Sequence, residues 1–227
     1  MMNDYEKFAL SKGVSTVKID GYNKYLLKNG AVSPLILEER EMNVIGLDVF
    51  SRLLYDRVLF LRGVIDRDTA DVVNSQLMYL NSIGDEDVKL FINSPGGSVI
   101  DGLAIYDVMN YIVPDVSTYC MGMCASMGSI LLSSGARGKR YSLPNGEIMV
   151  HQVSGGAEGQ FSDMEIAVRH AGRLQEKLFN ILANNSGKTF DEVKVDADRD
   201  NWLTPEDALP GVYGQYGLID EIITKKA

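Results

Sequence analysis

Three short apolar words recur along the chain, and each is followed by a stretch with helical spacing. This alternation constrains the fold more than any other feature. "VLFL" (58–61) precedes "DRDTADVVNSQLMYLNS", which opens on acidic and hydroxyl residues as a helix N-terminus does. "VKLFI" (88–92) precedes "NSPGGS" and a segment whose Ala104, Ile105, Val108, Met109 and Ile112 form one helical face. Ser98 with Asp101 three residues on reads as a capping box for that helix. "DVSTYC" (115–120) is a third strand, leading into "GMCASMGS" and a short helix, "SMGSILLSSGA", ended by glycine. "KRYSL" and "EIMV" (147–150) read as two further strands. After the glycine-rich "SGGAEGQ", the pair Ser162 and Glu165 predicts a helix cap. The helix that follows keeps Ala167, Ala171, Leu174, Leu178 and Ile181 on one face and stops near Gly187. Strands alternating with helices predict an α/β fold with crossover connections.

The beginning of the chain is different. "LDVFSRLLYDR" has helical spacing at Val49, Phe50, Leu53 and Leu54, but residues 1 to about 45 hold no sustained period and read as a tail or arm. A chain of 227 residues reads by default as one domain able to bury a core without staples. The net charge of −9 argues against a nucleic-acid binder, which needs a basic face. No apolar run is long enough for a transmembrane helix, and "MMNDYEKFALSKG" lacks the basic start and apolar centre of a secretory signal. A cytoplasmic protein with no membrane partner is expected. Cys120 and Cys124 are too few for a disulfide framework, and a closed metal site needs about four ligands, so they read as free thiols and no metal is expected.

The candidate chemistry centres on Ser126 in "GMCASMGS". A serine hydroxyl is a weak nucleophile that needs a base within hydrogen-bond reach, a group to orient the base, and donors for the oxyanion. Ser126 lies where a strand turns into a helix N-terminus, a position that favours developing negative charge. The pattern is G-x-x-x-S-x-G, distinct from the G-x-S-x-G elbow, and small residues at such a turn also serve plain packing. Of the two histidines, His151 follows the strand "EIMV" and precedes a glycine-rich loop, whereas His170 lies mid-helix. His151 is therefore the candidate base. "DADRDNW" offers Asp196, Asp198 and Asp200 as orienting carboxylates, and spacing does not choose among them. The diglycine in "NSPGGS" lets backbone approach a ligand closely and aims N–H groups at an anion, or else forms a simple Pro-Gly turn. It is neither G-x-G-x-x-G nor a P-loop, so no nucleotide site is expected.

Together "FSRLLYDRVLFL", "LFINSPGGSV", "GLAIYDVMNYI", "GMCASMGSILLSSGARGKRYSLPN", "IMVHQ", "GGAEGQ" and "DRDNWLT…YGLID" resemble the proteolytic subunits of the Clp proteases, in that family's order, over roughly residues 34 to 223. The resemblance implies a repeated β-β-α superhelical fold, shared with enoyl-CoA hydratases (the crotonase-like superfamily), with a protruding strand-helix handle at "GGAEGQ" and beyond. It implies Ser126 as nucleophile, His151 as general base and Asp200 as orienting carboxylate. The amides of Gly97 and Met127 would form the oxyanion hole. Substrates would be unfolded proteins and peptides, paired as an added strand near "GGSV" and residues 153 to 156. A Clp-family ATPase unfoldase would feed a homo-oligomer of two stacked heptameric rings, with no bound cofactor. Asp198 and Arg199 match positions that pair between the rings. Residues 1–33 would be an N-terminal extension or propeptide, and 34–227 the protease domain, with an axial loop region at 34–46.

Four departures stand out: Cys124 in place of the usual alanine, Val153 after "HQ" in place of a frequent proline, a longer 209–215 segment that reads as a surface loop, and about 30 residues before the usual start. Two rivals share parts of the pattern. A hydratase or isomerase acting on acyl-CoA thioesters needs the oxyanion hole without the Ser-His-Asp set, and a scaffold subunit needs only the ring contacts.

Overall fold

Parallel strands cannot be joined by a tight turn, so the helical stretches between the apolar words serve as crossovers. The structure, a computed structural model, describes residues 35–40, 43–211 and 216–225. It divides into two compact units, Met1–Tyr55 and Asp56–Ala227. In the second, β3 (Val58–Arg62), β4 (Val88–Ser94), β5 (Val116–Ala125), β6 (Arg140–Ser142) and β9 (Glu221–Ile222) lie side by side, and every neighbouring pair is parallel. Helices α2 (Arg67–Ile83), α3 (Val99–Tyr111) and α4 (Met127–Ser133) follow β3, β4 and β5 in turn. Two more strands, β7 (Glu147–Val150) and β8 (Asn201–Leu203), join at the far end of β5. This is the α/β architecture expected of the crotonase-like superfamily.

The first unit by itself holds an antiparallel pair, β1 (Leu35–Arg40) and β2 (Asn43–Asp48), and helix α1 (Val49–Tyr55). Asp48 Oδ1 accepts from the N–H groups of Phe50 at 3.0 Å and Ser51 at 3.1 Å, starting α1. The tail read over 1–45 is therefore corrected from residue 35 onward. A hairpin takes its order from the cross-strand ladder, which no single-strand period reveals. Residues 1–34, including the expected extension, lie outside the described residues.

Three local readings also change. The face of α3 is set by Gly102, Leu103, Ile105 and Met109, while Ala104 is exposed. The helix is turned toward α4 because Gly102 leaves room for a side chain there. A Cβ at 102 would lie 2.2 Å from Met127 Cγ. Ser98 accepts from Asp101 N–H, at 3.3 Å, but the Asp101 side chain does not return to the Ser98 N–H, so the cap is one-sided rather than the expected capping box. Second, β5 does not end at Cys120 but continues through the glycine-rich motif to Ala125. Ile92 pairs with Cys120 and Ser94 with Cys124, so two residues of β4 face four of β5. Gly122, at φ 95°, takes up the excess, and Asn93 Oδ1 accepts from Met123 N–H at 3.2 Å. Third, α5 (Phe161–Ser186) begins before Ser162, with Gln160 at its N-cap and no side-chain cap, so the Ser162–Glu165 cap does not form. Ser162 already lies within the first turn, where its hydroxyl cannot cap.

The front half of α5 projects from the unit. Its buried residues run only from Leu178 to Ala183, and Ala167 is exposed; the helix ends at Gly187 in the left-handed region. Residues 151–160, ahead of it, carry neither strand nor helix. The handle's helix is thus present, but the expected strand before it is not formed, and among the described residues 151–160 pair with no strand. Of the longer 209–215 segment, Pro210 and Gly211 are exposed, and 212–215 lie outside the described residues. Helices α6 (Phe190–Asp196) and α7 (Pro205–Ala208) both begin with reciprocal capping boxes, from Thr189 and Thr204.

The core lies between the sheet and these helices. Leu59, Leu61, Leu90 and Ile92 point to it and are fully or almost fully buried, as are Val73, Leu77 and Leu80 of α2. The opposite sheet face carries a row of stacked rings, Phe60, Phe91, Tyr119 and Tyr141, with centroids 5.7, 4.5 and 4.9 Å apart. Their registers match across β3 to β6, and such pairs add about 0.5–1.5 kcal/mol each beyond their burial. Among the described residues no helix is long and apolar enough to cross a membrane.

Candidate active site

Strand register brings the three candidate side chains together. Beyond its bulge β5 pairs with β7, matching Ala125 with Met149, and Ser126 N–H then donates to Met149 O at 2.9 Å. On the other edge of β7, Val150 faces Asn201 of antiparallel β8. The next residues along, His151 and Asp200, therefore stand beside one another. Ser126 Oγ lies 2.8 Å from His151 Nε2, and His151 Nδ1 lies 3.0 Å from Asp200 Oδ1. With its proton on Nδ1, the ring donates to Asp200 and accepts from the Ser126 hydroxyl. The carboxylate that pairs is thus Asp200, not Asp196 or Asp198. His170 is exposed in mid-helix, within hydrogen-bond reach of Arg173.

Ser126 has φ 55° and ψ −122°, a backbone region that non-glycine residues avoid. Such a residue costs about 1–3 kcal/mol and persists only where its surroundings over-determine it. Here the ladder bond to Met149 holds one side. On the other, the Ser126 carbonyl accepts from the Ser129 and Ile130 N–H groups and from Ser129 Oγ at 2.7 Å. Every residue of α4 is buried, so the turn has nowhere to relax.

Gly97 and Met127 flank this serine. Neither amide donates to any acceptor among the described residues, and both residues line the pocket that contains Ser126 and His151. Gly96, at φ 91°, presses the diglycine turn onto the elbow; a Cβ there would lie 2.7 Å from Ser126 Cβ and 2.9 Å from Met127 N. Two free N–H groups beside a hydroxyl are what a developing oxyanion requires. Apolar Val99, Ile130, Val150, Leu178, Phe179 and Leu182 line the pocket together with polar Ser129, His151, Gln152 and Ser154.

Asp198 and Arg199 lie on the turn before Asp200, both exposed, with Arg199 Nε 3.7 Å from Asp198 Oδ2. Gln152, next to His151, donates from Nε2 to Asp198 O at 2.6 Å. Sequence reading passed over this glutamine and the buried hydroxyl of Ser94. Their only signal was polarity at strand ends flanked by apolar runs. Cys124, two residues before the serine, is fully buried, and burial pushes its thiol well above the ordinary range; Cys120 is also fully buried. Neither thiol faces the pocket lining around Ser126.

The family model described as Clp protease matches residues 40–226. A protein of Bacteroides fragilis named "ATP-dependent Clp protease proteolytic subunit" is 47% identical, covering 99% of this chain and 100% of its own length. Proteins of the same name from Porphyromonas gingivalis, at 45% with 99% of each chain covered, and Bacteroides thetaiotaomicron, at 46% with 99% and 100% covered, are similar in the same way. A match over this length, with strands that seat a serine, a histidine and an aspartate in hydrogen-bonded line, places the chain in the Clp protease family.

Proposed function

We propose that this chain is the proteolytic subunit of an ATP-dependent Clp protease, a serine endopeptidase acting on unfolded protein and peptide. The observation that carries the reading is the unbroken hydrogen-bond line from Ser126 through His151 to Asp200. Ser126 Oγ attacks the peptide carbonyl while His151 Nε2 takes its proton. The oxyanion that forms is met by the Gly97 and Met127 amides. His151 then returns the proton to the departing amine, leaving an acyl-enzyme on Ser126. Water, deprotonated by the same imidazole, releases the acyl group. Asp200 holds the ring tautomer and stabilises the imidazolium. Every step uses this chain's own groups and water.

Among the described residues, 152–156 have no ladder partner, so an extended substrate can pair with them and with Gly97–Ser98 as an added strand. Main-chain pairing tolerates many side chains, as a degradative peptidase requires. The partner is a Clp-family ATPase that delivers unfolded chain. We assign residues 34–227 to the protease domain, 34–46 to axial loops and 1–33 to an extension or propeptide. We further assign the assembly as two stacked heptameric rings in the cytoplasm, with Asp198 and Arg199 at the ring–ring contact.

The test is labelling with a fluorophosphonate, which phosphonylates an activated serine. The wild-type chain is expected to be labelled on Ser126 and to cleave a fluorogenic peptide, and Ser126→Ala to do neither. Equal labelling of both would sink the assignment.

A further inference from the structure

We propose that Ser94 is a positioning residue that sets the direction of the Gly97 amide; this rests on the peptidase reading above. Ser94 closes β4 and has no exposed surface. Its Oγ donates to Gly63 O at 2.6 Å and accepts from Gly96 N–H at 3.0 Å. A hydroxyl has one proton and two lone pairs, so donation to Gly63 fixes its rotor and leaves a lone pair aimed at Gly96.

The position explains the need. β3 ends at Arg62, with one backbone bond beyond it from Gly63 N–H to Asn93 O at 3.0 Å, and the β4–β5 register slips between Ile92 and Ser94 before Ser94 pairs with Cys124. Asn93 and Ser94 reinforce the ladder there with side chains pointing opposite ways. Asn93 Oδ1 takes Met123 N–H on the β5 side, and Ser94 Oγ takes Gly63 O on the β3 side. The diglycine turn is held on Ile65 on one side, where Ser98 N–H also donates to Ile65 O at 2.8 Å, and on Ser94 on the other. Ile65 N–H donates to Gly96 O at 2.8 Å, and Gly96 N–H donates to Ser94. The Ile65 bond fixes the peptide plane after Gly96, which carries the Gly97 N–H, and the Ser94 bond fixes the plane before it, so Ser94 acts on the Gly97 amide through the Gly96 backbone angles. Among the described residues, Ser94 is the only side chain that bonds this turn's backbone. Ser94 also lies close to α4, its carbonyl 3.1 Å from where a Gly128 Cβ would lie. One buried residue therefore sets the spacing between the nucleophile's helix and the second oxyanion donor.

The test compares full-length wild type, Ser94→Ala, Ser94→Cys and Ser126→Ala for kcat and KM on a fluorogenic peptide. Inhibition by a peptide boronate, whose tetrahedral adduct places an oxygen in the cradle, is measured alongside. Ser94→Ala is expected to lose about 10- to 100-fold in kcat, with KM within about twofold. Its boronate inhibition constant should rise by the same factor as kcat/KM falls, with the pH profile in place. Ser94→Cys keeps a weak donor and acceptor and should fall between wild type and alanine. A Ser94→Ala kcat within about twofold of wild type, a loss confined to KM, or unchanged boronate affinity overturns the proposal. Should Ser94→Ala fail to fold, Ser94→Cys decides, and a wild-type kcat and boronate affinity there overturns it. Hydrolysis that survives Ser126→Ala sinks the peptidase reading and this one with it. Ser126-dependent hydrolysis undiminished in Ser94→Ala sinks this one alone.

Discussion

Gly97→Ala tests the oxyanion assignment at the point of tightest packing. A methyl group there would lie 2.2 Å from Ile65 O, 2.8 Å from Ile65 N and 2.9 Å from Ile65 C, all of them backbone atoms. The turn must retreat by about 1 Å, and a misplacement of that size costs on the order of 100-fold in rate. Outright loss of one oxyanion donor costs about 100- to 1,000-fold, or roughly 2.7–4 kcal/mol of transition-state stabilisation. Stability falls as well. Retreat weakens the Ile65 N–H to Gly96 O and Ser98 N–H to Ile65 O bonds, both 2.8 Å, at about 1 kcal/mol each. The φ of 150° adds strain of about 1–3 kcal/mol for alanine. At about 2–4 °C per kcal/mol for a chain of this size, Tm should drop by roughly 10 °C. Gly138→Ala is the control. Gly138 has φ 78° and nothing within 4 Å of a Cβ, so it carries backbone strain alone, lowering Tm by a few degrees with kcat intact. The assay is kcat and KM on a fluorogenic peptide below each variant's unfolding temperature. If Gly97→Ala folds and keeps kcat within about threefold of wild type, its amide is not an oxyanion donor and the cradle is wrongly drawn.

Two further outcomes follow from the same structure. Asp200→Asn should lower kcat by about 100- to 10,000-fold with little change in KM, because an amide can hold His151 in the wrong tautomer; steady-state kinetics across pH checks this, and an unchanged kcat would remove Asp200 from the site. Asp220→Asn should destabilise the fold by about 2 kcal/mol in urea titrations. It leaves Arg140, 7% exposed, without the carboxylate that takes its Nε at 3.0 Å and Nη2 at 2.6 Å, while Asp220 keeps about a fifth of its own side chain in water. Burial pushes the Asp220 carboxyl up, but the hydrogen bonds and charge of Arg140 outweigh it and hold it below its ordinary value. A depressed carboxylate contributes stability that is full above its unfolded pKa, near 3.9, and fades as pH falls through the lower folded value. The wild type should therefore lose stability more steeply than Asp220→Asn below about pH 4, and parallel curves would refute the pairing.

Much of this was legible in the sequence because it was local. The words "VLFL", "VKLFI" and "EIMV" became strands within a residue or two, since buried parallel strands read as continuous apolar runs. His151 stood out because it follows such a run directly. What pairing creates was hidden. The continuation of β5 through Gly122 depends on the bulge against β4, and the hairpin at 35–48 on a cross-strand ladder. Asp200 could not be separated from Asp196 and Asp198 by spacing alone; the family resemblance singled it out, and the structure supplies the reason. β8 pairs with β7 in the register that puts residue 200 beside residue 151. Ala104 was misplaced because Gly102 counts for little in an apolar pattern, although it is where α3 packs most closely on Met127.

The same pairing makes the site unequal in its anchoring. Ser126 closes a ten-residue strand and opens a helix with no exposed residue. His151 follows a four-residue strand buried except at its first position. Asp200 precedes a three-residue strand with Trp202 half exposed, and its own side chain is 63% exposed. Local opening free energy follows burial and ladder length, so the site should lose its carboxylate before its base and its base before its nucleophile. The Asp198 carbonyl that Gln152 holds lies two residues from Asp200, and the exposed Arg199 side chain only one. A contact made on that turn therefore reaches the Asp200 carboxylate through one or two peptide units, without passing through the core. The exposed end of the proposed triad, not its half-buried serine, is where the alignment of this site is open to control.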